Sequence, residues 1–303
     1  MPLNPDDEKE AKEGKLYVVS TPIGNMADIT LRALETLRAV DLIAAEDTRR
    51  TRKLLAYYGV HKPLISYREH NARERGSELI EKIASGRSVA LVTDAGTPGV
   101  SDPGYLLIEE ALKRGMEAVA IPGPTALISA LSISGLPTQP FVFLGFPPAR
   151  GAGRKRFFEK YAGLTMTLII YESPRKLSKT LKDMLDNWGE RRMAIARELT
   201  KMHEEIFRGH VSEAVEHFRG GVRGELTLVV EGAEPGSEAS PKSCPVSAEY
   251  NLPSQGPTAW RDELRSLLLG GLSSREAASA IAGRFNIPRR VVYQAALALK
   301  KQV

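Results

Sequence analysis

The segment Leu91–Gly104, which reads LVTDAGTPGVSDPG, constrains the fold of this chain more than any other stretch. It begins inside an apolar run, Val89–Val92. After Thr93 and Asp94 the chain enters a loop with three glycines and two prolines. Glycine lets the backbone approach a ligand closely, and proline stiffens a turn. Because open α/β sheets bind nucleotide-like ligands beyond their strand ends, the segment predicts a buried strand that leads into a ligand-binding loop.

Two further loops have the same character. Thr21–Asn25 (TPIGN) follows the first predicted strand, and Ile121–Thr125 (IPGPT) follows the fifth. Since the carboxyl ends of parallel strands meet at one edge of a sheet, we expect the three loops to form one site.

Residues 16–123 alternate between strand-like and helix-like patterns, which predicts an α/β domain with a parallel, doubly wound sheet. One helix shows the 3.6-residue period at Leu31, Leu34 and Leu37, and Asp28 is its expected N-cap. The predicted strands are Leu16–Ser20, Leu42–Ala45, Leu64–Tyr67, Val89–Thr93 and Ala118–Ile121.

Residues 124–232 predict a second α/β domain with a mixed sheet, because several strands follow one another without a helix between them. Two helices are expected there, near Arg175–Asn187 and Val211–Arg219. The predicted strands are Phe141–Phe146, Met166–Glu172, Met193–Glu198, Glu204–Arg208 and Glu225–Glu231.

The remaining segments differ in composition. Residues 1–15 are polar and predict a disordered tail, and residues 233–258 are rich in Pro, Ser and Gly and predict a linker. Residues 259–303 predict a small helical module, in which Ser273–Glu276 resembles a capping box at the start of the middle helix. Its expected helices are Trp260–Leu269, Arg275–Phe285 and Arg289–Leu299.

The composition, 42% apolar and 26% charged residues, is ordinary for a globular protein. No apolar run approaches the roughly 18 residues of a membrane span, and the first residues lack the apolar core of a signal peptide. The single cysteine, Cys244, excludes an internal disulfide. These features predict a cytoplasmic protein without a membrane partner, and the net charge of +5 permits a polyanionic one.

Several catalytic motifs are missing from the sequence. It has no GxxxxGK[ST], HExxH or GxSxG, and no GxGxxG follows the first predicted strand. This pattern disfavours P-loop nucleotidases, zinc proteases, α/β-hydrolases and ordinary dinucleotide enzymes. The five histidines show no paired ligand spacing, so no metal site is expected.

The motifs of residues 15–232 resemble, in their order along the chain, those of the tetrapyrrole methylase superfamily. The three loops described above carry part of this resemblance, and four shorter motifs complete it. These are Ala45–Arg49 (AEDTR), Tyr171–Arg175 (YESPR), Ala196–Lys201 (ARELTK) and Gly224–Thr227 (GELT).

This resemblance implies a homodimer of chains with two α/β domains and S-adenosylmethionine bound in the cleft between them. Asp94 is the strongest candidate for a cofactor contact, since a carboxylate at a strand end accepts hydrogen bonds from hydroxyl or ammonium groups. A turn cap is the alternative role for Asp94, and a core aromatic for Tyr171. By motif match, the expected cofactor contacts are Pro22, Asp94, Ala95, Thr97, Val100, Thr125, Ala126, Tyr171, Arg197, Leu226 and Thr227.

The forms of Glu46–Arg49 and Asp94–Gly104 are similar to the branch of the superfamily that methylates a cytidine 2′-hydroxyl in small-subunit (16S) ribosomal RNA. The resemblance therefore implies the small ribosomal subunit as a partner. Arginine suits phosphate groups, and exposed aromatic rings can stack on bases. The expected RNA contacts are Arg49 and, in a glycine-rich loop before Phe157 and Phe158, Arg150, Arg154, Lys155 and Arg156. A solvated basic face with both phenylalanines in the core is the alternative.

Methyl transfer to a hydroxyl depends mainly on in-line positioning, which supplies roughly 7–11 kcal/mol, and a general base adds about 10²–10⁴-fold. The candidate catalytic residues are Asp47 and His70 as bases and Arg49 as a positioning group. Glu46 is a further candidate base, and Asn71 a further candidate positioning group. The alternatives are a helix cap for Asp47 and a plain surface position for His70.

Two other functions remain open at this point. A uroporphyrinogen or precorrin C-methyltransferase would use the same fold on a polycarboxylate macrocycle, which basic residues also suit. A non-enzymatic RNA-binding protein would show salt-dependent RNA affinity and no cofactor affinity.

Overall fold

The computed structural model describes residues 14–102, 104–234, 259–270, 272–285 and 289–300. The predictions for residues 1–13 and for most of the linker lie outside these described residues. The chain divides into two compact units, Met1–Cys244 and Pro245–Val303. The domain bounds expected from the sequence stay a prediction.

The first sheet is parallel throughout, with the strand order β3-β2-β4-β1-β5, as the sequence predicts. Its strands are β1 (Leu16–Val19), β2 (Leu42–Ala45), β3 (Leu64–Ser66), β4 (Val89–Val92) and β5 (Ala118–Ile121). The helices that connect and follow them are α1 (Leu31–Ala39), α2 (Thr48–Tyr57), α3 (Ala72–Ala84) and α4 (Gly104–Lys113).

The central strand β4 is buried on both faces, which explains why its sequence is a continuous apolar run rather than an alternating one. Val89 and Leu91 pack in the core under α3, whereas Ala90 and Val92 pack in the core under α1 and α2. Helices therefore cover both faces of the sheet. The carboxyl edge of the strands is left for the loops.

The N-cap of helix α1 lies two residues after the predicted one. Thr30 is the N-cap, and its hydroxyl accepts a hydrogen bond from the Ala33 N–H at 3.1 Å. The expected cap, Asp28, is wrong because this residue ends a short 3-10 turn, Met26–Asp28.

The second sheet is mixed, as predicted, with the strand order β6-β7-β10-β8-β9. Only β6 and β7 are parallel, and the other neighbours are antiparallel. Its strands are β6 (Phe141–Phe143), β7 (Thr167–Glu172), β8 (Arg192–Arg197), β9 (Glu205–His210) and β10 (Leu226–Val230). Its helices are α5 (Ala126–Ile133), α6 (Ala152–Tyr161), α7 (Pro174–Trp188) and α8 (Val211–His217).

The prediction of only two helices in this region is wrong, since α5 and α6 were missed. Helix α5, ALISALSI, is apolar along most of its length and so shows no helical period. Helix α6 begins directly after Gly151, whose positive φ of 77° suits a glycine at a helix start. The glycines that predict a loop there mark a helix boundary instead.

Arg154 is an internal structural residue, so its predicted contact with RNA is wrong. It lies on α6 and is only 4% exposed. Its guanidinium donates to Asp183 at 2.5 Å and to the Thr180 hydroxyl at 2.8 Å, both on α7, and to the Pro148 carbonyl at 3.0 Å. Burial and three acceptors leave this side chain no access to an external strand.

The two phenylalanines, Phe157 and Phe158, pack in the core, which is the alternative to stacking on RNA bases. The Phe158 ring is fully buried in the core of the second sheet, and Phe157 packs against the same core. Neither ring is free to stack on a base.

The second unit consists of α9 (Ala259–Leu269), α10 (Ser274–Phe285) and α11 (Arg289–Lys300), as predicted. Its core contains Leu264, Ile281 and Val292. The predicted capping box is confirmed, because the Glu276 N–H donates to the Ser273 hydroxyl at 3.3 Å and the Ser273 N–H donates to the Glu276 carboxylate at 3.1 Å.

We expect Asp183→Ala to lower the free energy of unfolding by about 3 kcal/mol, because it leaves the buried Arg154 charge without its carboxylate. Lys155→Ala is the matched control, since the Lys155–Glu159 pair is exposed, and should change stability by no more than about 0.5 kcal/mol. Urea denaturation followed by circular dichroism measures both. Equal small effects would show that Asp183 does not hold Arg154.

Candidate functional site

The loops after β1 and β4 are joined by backbone hydrogen bonds beyond the ends of the strands. The Thr21 N–H donates to the Gly96 carbonyl at 2.9 Å, and the Gly96 N–H donates back at 3.0 Å. The Thr21 hydroxyl donates to the Thr93 carbonyl at 3.1 Å, and the Ser20 and Thr97 hydroxyls lie 2.9 Å apart. The two loops therefore form one rigid wall.

The loop after β5 reaches the same place through a glycine. A Cβ atom at Gly123 would lie 2.8 Å from the Ser20 Cβ, a distance that real side chains do not tolerate. Glycine is thus required where the third loop meets the first. The expectation that the three loops form one site agrees with this packing.

The segment Asp94–Gly104 is held in shape by one of its own carboxylates. Asp102 Oδ1 accepts from the Gly99 N–H at 2.8 Å and from the Gly104 N–H at 2.7 Å. The turn between them passes through Ser101, whose φ of 66° is unusual for a residue other than glycine. Burial raises the pKa of Asp102 above its usual range, although the two backbone donors oppose the shift.

A cleft of about 400 Å³ opens at this edge, between the first and second sheets. The predicted cofactor residues that line it are Asp94, Ala95, Thr97, Val100, Thr125, Ala126, Tyr171, Leu226 and Thr227. The other lining residues are Ile23, Glu46, Arg50, Thr93, Gly96, Ser101, Asp102, Phe146, Glu172, Ser173, Pro174, Ala196, Leu199, Gly224 and Glu225.

Two predicted cofactor residues lie elsewhere. Pro22 lines an adjoining cavity of about 240 Å³, which shares the Thr93–Ala95 wall with the cleft. Arg197 lines neither of them, because its guanidinium is bound to the Arg223 carbonyl at 2.8 Å and to Glu205 at 2.9 Å. The arrangement does not bring the Arg197 side chain to the predicted site.

Asp94 lies in the wall between the two cavities and is bound on both sides. Its Oδ1 accepts from the Asp47 N–H at 2.9 Å, and its Oδ2 lies 3.3 Å from the Arg50 guanidinium. Desolvation, followed by the charge of Glu46, raises the pKa of Asp94, and Arg50 opposes this shift. Asp94 thus ties the segment after β2 to the loop after β4 and also presents a partly desolvated carboxylate to the cleft.

Glu46 is a second carboxylate beside Asp94. Its Oε2 accepts from the Thr93 hydroxyl at 2.7 Å and from the Asp94 N–H at 3.3 Å. The Glu46 carbonyl accepts from the Arg68 side chain at 2.7 Å, which ties the end of β2 to the segment after β3.

Asp47 occupies a different environment, although it neighbours Glu46 in sequence. It is the N-cap of α2, accepting from the Arg49 N–H at 2.9 Å, and the Arg49 side chain donates to its two oxygens at 3.2 and 2.9 Å. The hydrogen bonds from Arg49, together with the charge of Arg68, hold the pKa of Asp47 far below its usual range. Neither Asp47 nor Arg49 lines the cleft or the adjoining cavity, so Asp47 is a poor proton acceptor for a group bound there.

His70 and Asn71 also lie outside both cavities. His70 is exposed in a short 3-10 turn, Glu69–Asn71. The Asn71 side chain accepts from the Arg68 N–H at 2.7 Å and donates to the Ser66 carbonyl at 3.2 Å, so it stabilises this turn.

Tyr171 fits both roles that the sequence left open. Its ring packs edge-on against Phe143 with centroids 4.8 Å apart, and its hydroxyl accepts from the Leu127 N–H at 3.1 Å. Burial raises its pKa. It is at once a core aromatic and part of the cleft wall.

Sequence reasoning missed Glu172, a buried carboxylate at the end of β7. It accepts from the Ser173 N–H at 2.7 Å and from the Thr180 hydroxyl, which in turn accepts from Arg154. An acid at the end of an otherwise apolar strand was the available signal. Phe146 carried no comparable signal, because only the conformation of the loop after β6 brings it to the cleft.

The predicted RNA residues other than Arg154 are exposed, namely Arg49, Arg150, Lys155 and Arg156. None of them lines the cleft. Within the described residues, no three His, Cys, Asp or Glu side chains are grouped to hold a metal ion. No helix in the described part of the chain is long and apolar enough to cross a membrane.

Residues 15–215 match the family described as tetrapyrrole (corrin/porphyrin) methylases. Residues 258–300 match the family described as the RsmI C-terminal HTH domain. The matched ranges correspond to most of the two-sheet unit and to the three-helix unit.

Curated relatives match almost the whole chain. Ribosomal RNA small subunit methyltransferase I of Synechocystis is 45% identical over 289 residues, covering 95% of this chain and 99% of the relative. The protein of the same name from Thermotoga maritima is 50% identical over 222 residues, covering 73% of this chain and 100% of the relative. Uroporphyrin-III C-methyltransferase from Thermus thermophilus, solved with S-adenosyl homocysteine, has a TM-score of 0.52 at 17% identity and covers 72% of this chain and 97% of that one.

Asp102→Ala should lower the free energy of unfolding by about 1–3 kcal/mol, because the Gly99 and Gly104 N–H groups lose their acceptor. Asp102→Asn keeps an acceptor and removes a buried charge, so it should be at least as stable as the native chain at neutral pH. As the pH falls through the raised pKa of Asp102, the native carboxyl takes up its proton more readily when folded. The native chain then gains stability relative to Asp102→Asn until about pH 3.8, the usual pKa.

Thermal unfolding of the three proteins as a function of pH measures this difference. A native chain that instead loses stability relative to Asp102→Asn on acidification would contradict a raised pKa at this position.

Proposed function

The chain belongs to the tetrapyrrole (corrin/porphyrin) methylase family, in the group of ribosomal RNA small subunit methyltransferase I, and from this premise we propose its reaction. It transfers the methyl group of S-adenosylmethionine to the ribose 2′-hydroxyl of a cytidine in 16S ribosomal RNA of the small subunit. The observation that carries the proposal is the partly desolvated Asp94, placed in a wall between two cavities.

The larger cleft suits S-adenosylmethionine in size and in chemistry. Its volume lies within the range of small-molecule sites, and Ile23, Leu199 and Leu226 provide an apolar surface for an adenine. Asp94 offers a carboxylate to hydroxyl or ammonium groups, and Thr97, Thr125 and Thr227 add polar contacts. When bound there, the cofactor supplies a methyl group already activated on a cationic sulfur.

The adjoining cavity suits the acceptor nucleotide. It shares the Thr93–Ala95 wall with the larger cleft, so a ribose held in it lies next to a methyl donor held in the cleft. Arg50, Lys53 and Lys201 line it. Arg50 and Lys201 pair with acids of the site, and Lys53, which makes no ion pair within the described residues, provides positive charge for a phosphate group. Because the two cavities are adjacent, the chain can contribute most of its catalysis by positioning.

The proton of the hydroxyl passes to Asp94, which lines both cavities, rather than to Glu46 or Asp47, neither of which lines the cavity proposed for the acceptor. A raised pKa makes Asp94 the stronger proton acceptor, whereas Arg49 stabilises the ionised form of Asp47. Asp47 acts by capping α2 and by orienting Arg49 and Arg68.

We also place the chain in the cytoplasm as a homodimer. Ile128 and Ile133 of α5 and Phe141 of β6 are exposed large apolar side chains, which a second copy would cover. The match of residues 258–300 to a helix-turn-helix domain supports a nucleic-acid partner. The tetrapyrrole alternative rests on structures that share the fold at low identity.

The test uses S-adenosylmethionine with a radiolabelled methyl group and unmethylated small ribosomal subunits, with naked 16S RNA and uroporphyrinogen as parallel acceptors. Label should enter the RNA as an alkali-stable 2′-O-methylcytidine. Asp94→Ala should reduce transfer by about 100-fold or more and weaken cofactor binding measured by calorimetry, because the site loses its charged acceptor. Glu74→Ala, an exposed acid outside both cavities, is the control and should leave both unchanged.

Each other outcome has a distinct meaning. Label that enters only the macrocycle would show that the substrate assignment is wrong. Absence of both transfer and cofactor binding would leave a non-enzymatic RNA-binding protein.

Asp47→Asn should reduce the transfer rate by less than about tenfold, since asparagine is also a good N-cap. Loss of a general base would reduce it by about 10²–10⁴-fold. The rate at saturating RNA and cofactor, measured for the native chain and for Asp47→Asn, separates the two cases. Asp47→Leu, which removes the cap as well, is expected to lose more activity than Asp47→Asn.

A further inference from the structure

Helix α7 carries a line of positive charge that no interaction in the described structure uses. Its first nine residues, PRKLSKTLK, contain four cations and no acid. Arg175, Lys179 and Lys182 are exposed, and Lys176 is partly exposed. None of the four makes an ion pair within the described residues.

Three of these cations form a narrow stripe along the helix. Arg175, Lys179 and Lys182 are spaced i, i+4, i+7, which places them on one face. The residues of the opposite face, Leu177, Leu181 and Met184 among them, are buried in the core of the second sheet. We call Arg175, Lys179 and Lys182 the α7 stripe.

The α7 stripe opposes the stability of its own helix in two ways. Arg175 stands in the first turn, where the helix dipole disfavours positive charge and where no acid is present. Like charges at i, i+4 and i, i+3 also repel each other, by about 0.2–0.5 kcal/mol per pair. Folding alone gives no reason to gather these cations here.

Other helices of the chain handle exposed cations differently. On α3 and α4, exposed cations pair with acids of the same helix at three or four residues, as in Arg75–Glu78 and Lys113–Glu109. On α7, the acid four residues after Lys179 is Asp183, and it is bound to Arg154. Pairing within the helix is thus available elsewhere and absent from the stripe.

The stripe also has a direction. Ser173 and Pro174, the residues directly before Arg175, line the cleft, so the positive charge begins at its mouth. Asp186 follows on the same face one turn after Lys182 and ends the positive charge. The cationic end of the helix is therefore the end at the cleft.

We propose that the α7 stripe binds the phosphate groups of the RNA strand that carries the acceptor nucleotide. This inference rests on the proposed function and adds a binding surface to it. Seven residues of helix rise by about 10 Å, which matches on the order of three phosphates along one strand. The acceptor nucleotide lies in the adjoining cavity, which Arg50 and Lys53 of α2 line, and the strand crosses the mouth of the cleft, lined by Ser173 and Pro174, to reach α7.

Backbone contacts of this kind position an RNA without reading its sequence. The stripe therefore contributes to affinity for the subunit and to its salt dependence. The transfer step itself does not involve it.

The experiment replaces the stripe by neutral residues in the full chain, as Arg175→Gln, Lys179→Gln and Lys182→Gln together. Methyl transfer to small ribosomal subunits and to naked 16S RNA is measured at several salt concentrations. We expect KM for both RNA acceptors to rise by about tenfold or more, and the slope of log affinity against log salt to become shallower by roughly 2. The kcat at saturating RNA and the cofactor affinity should stay unchanged.

Two controls separate the stripe from general charge and from folding. Lys113→Gln, Arg114→Gln and Arg219→Gln remove the same charge from exposed cations that already pair with a neighbouring acid, and should leave KM unchanged. The charge-conserving set Arg175→Lys, Lys179→Arg and Lys182→Arg should retain native KM. Thermal unfolding confirms that all three variants are folded.

The outcomes are distinguishable. If the native chain methylates RNA and the stripe variant keeps native KM and salt slope, the inference is overturned while the proposed function stands. A loss on assembled subunits but not on naked RNA would also overturn it, since a protein surface would then be the partner. If the native chain transfers no methyl group to either RNA, the proposed function itself fails.

Discussion

The site depends on the pair of backbone hydrogen bonds between Thr21 and Gly96. These bonds form an antiparallel bridge between the loops that follow the parallel strands β1 and β4, and they turn the two loops into one wall. Gly96 adopts a φ of 84°, which a side chain would strain, and Gly123 is packed against Ser20. These backbone contacts fix the shape of the cleft, and the side chains that line it are positioned by them.

Two aspartates near this wall, Asp47 and Asp94, show how the environment gives similar groups different roles. Asp47 and Asp94 are joined by a backbone hydrogen bond, yet their pKa values move in opposite directions. Arg49 surrounds Asp47 with donors that lower its pKa, whereas desolvation and the nearby charge of Glu46 raise the pKa of Asp94. Such a separation of pKa values is a common sign of divided acid–base roles, and it supports the proposal that Asp94 takes part in the chemistry while Asp47 caps α2.

The sequence predicts the two sheets well because the relevant signals are local. The apolar runs of β2 and β4 and the glycine-rich loops that follow depend on neighbours a few residues away. Arg154 and α6 could not be predicted in this way, since their environment comes from α7, about 26 to 29 residues later. The same limit applies to Arg197, which matches the family motif but is drawn to Glu205 on the neighbouring strand.

The positive charges at the cleft follow one physical pattern on two helices. Both α2 and α7 begin without an acid in the first turn and carry four cations in their first nine residues, against the preference of the helix dipole. On α2, Asp47 and Asp94 pair with Arg49 and Arg50, so two of its four cations are compensated from within the site. On α7 no such compensation exists among the described residues, and the missing negative charge is the one that a polyanionic substrate brings. The unbalanced helix is therefore the one whose stability should respond to RNA.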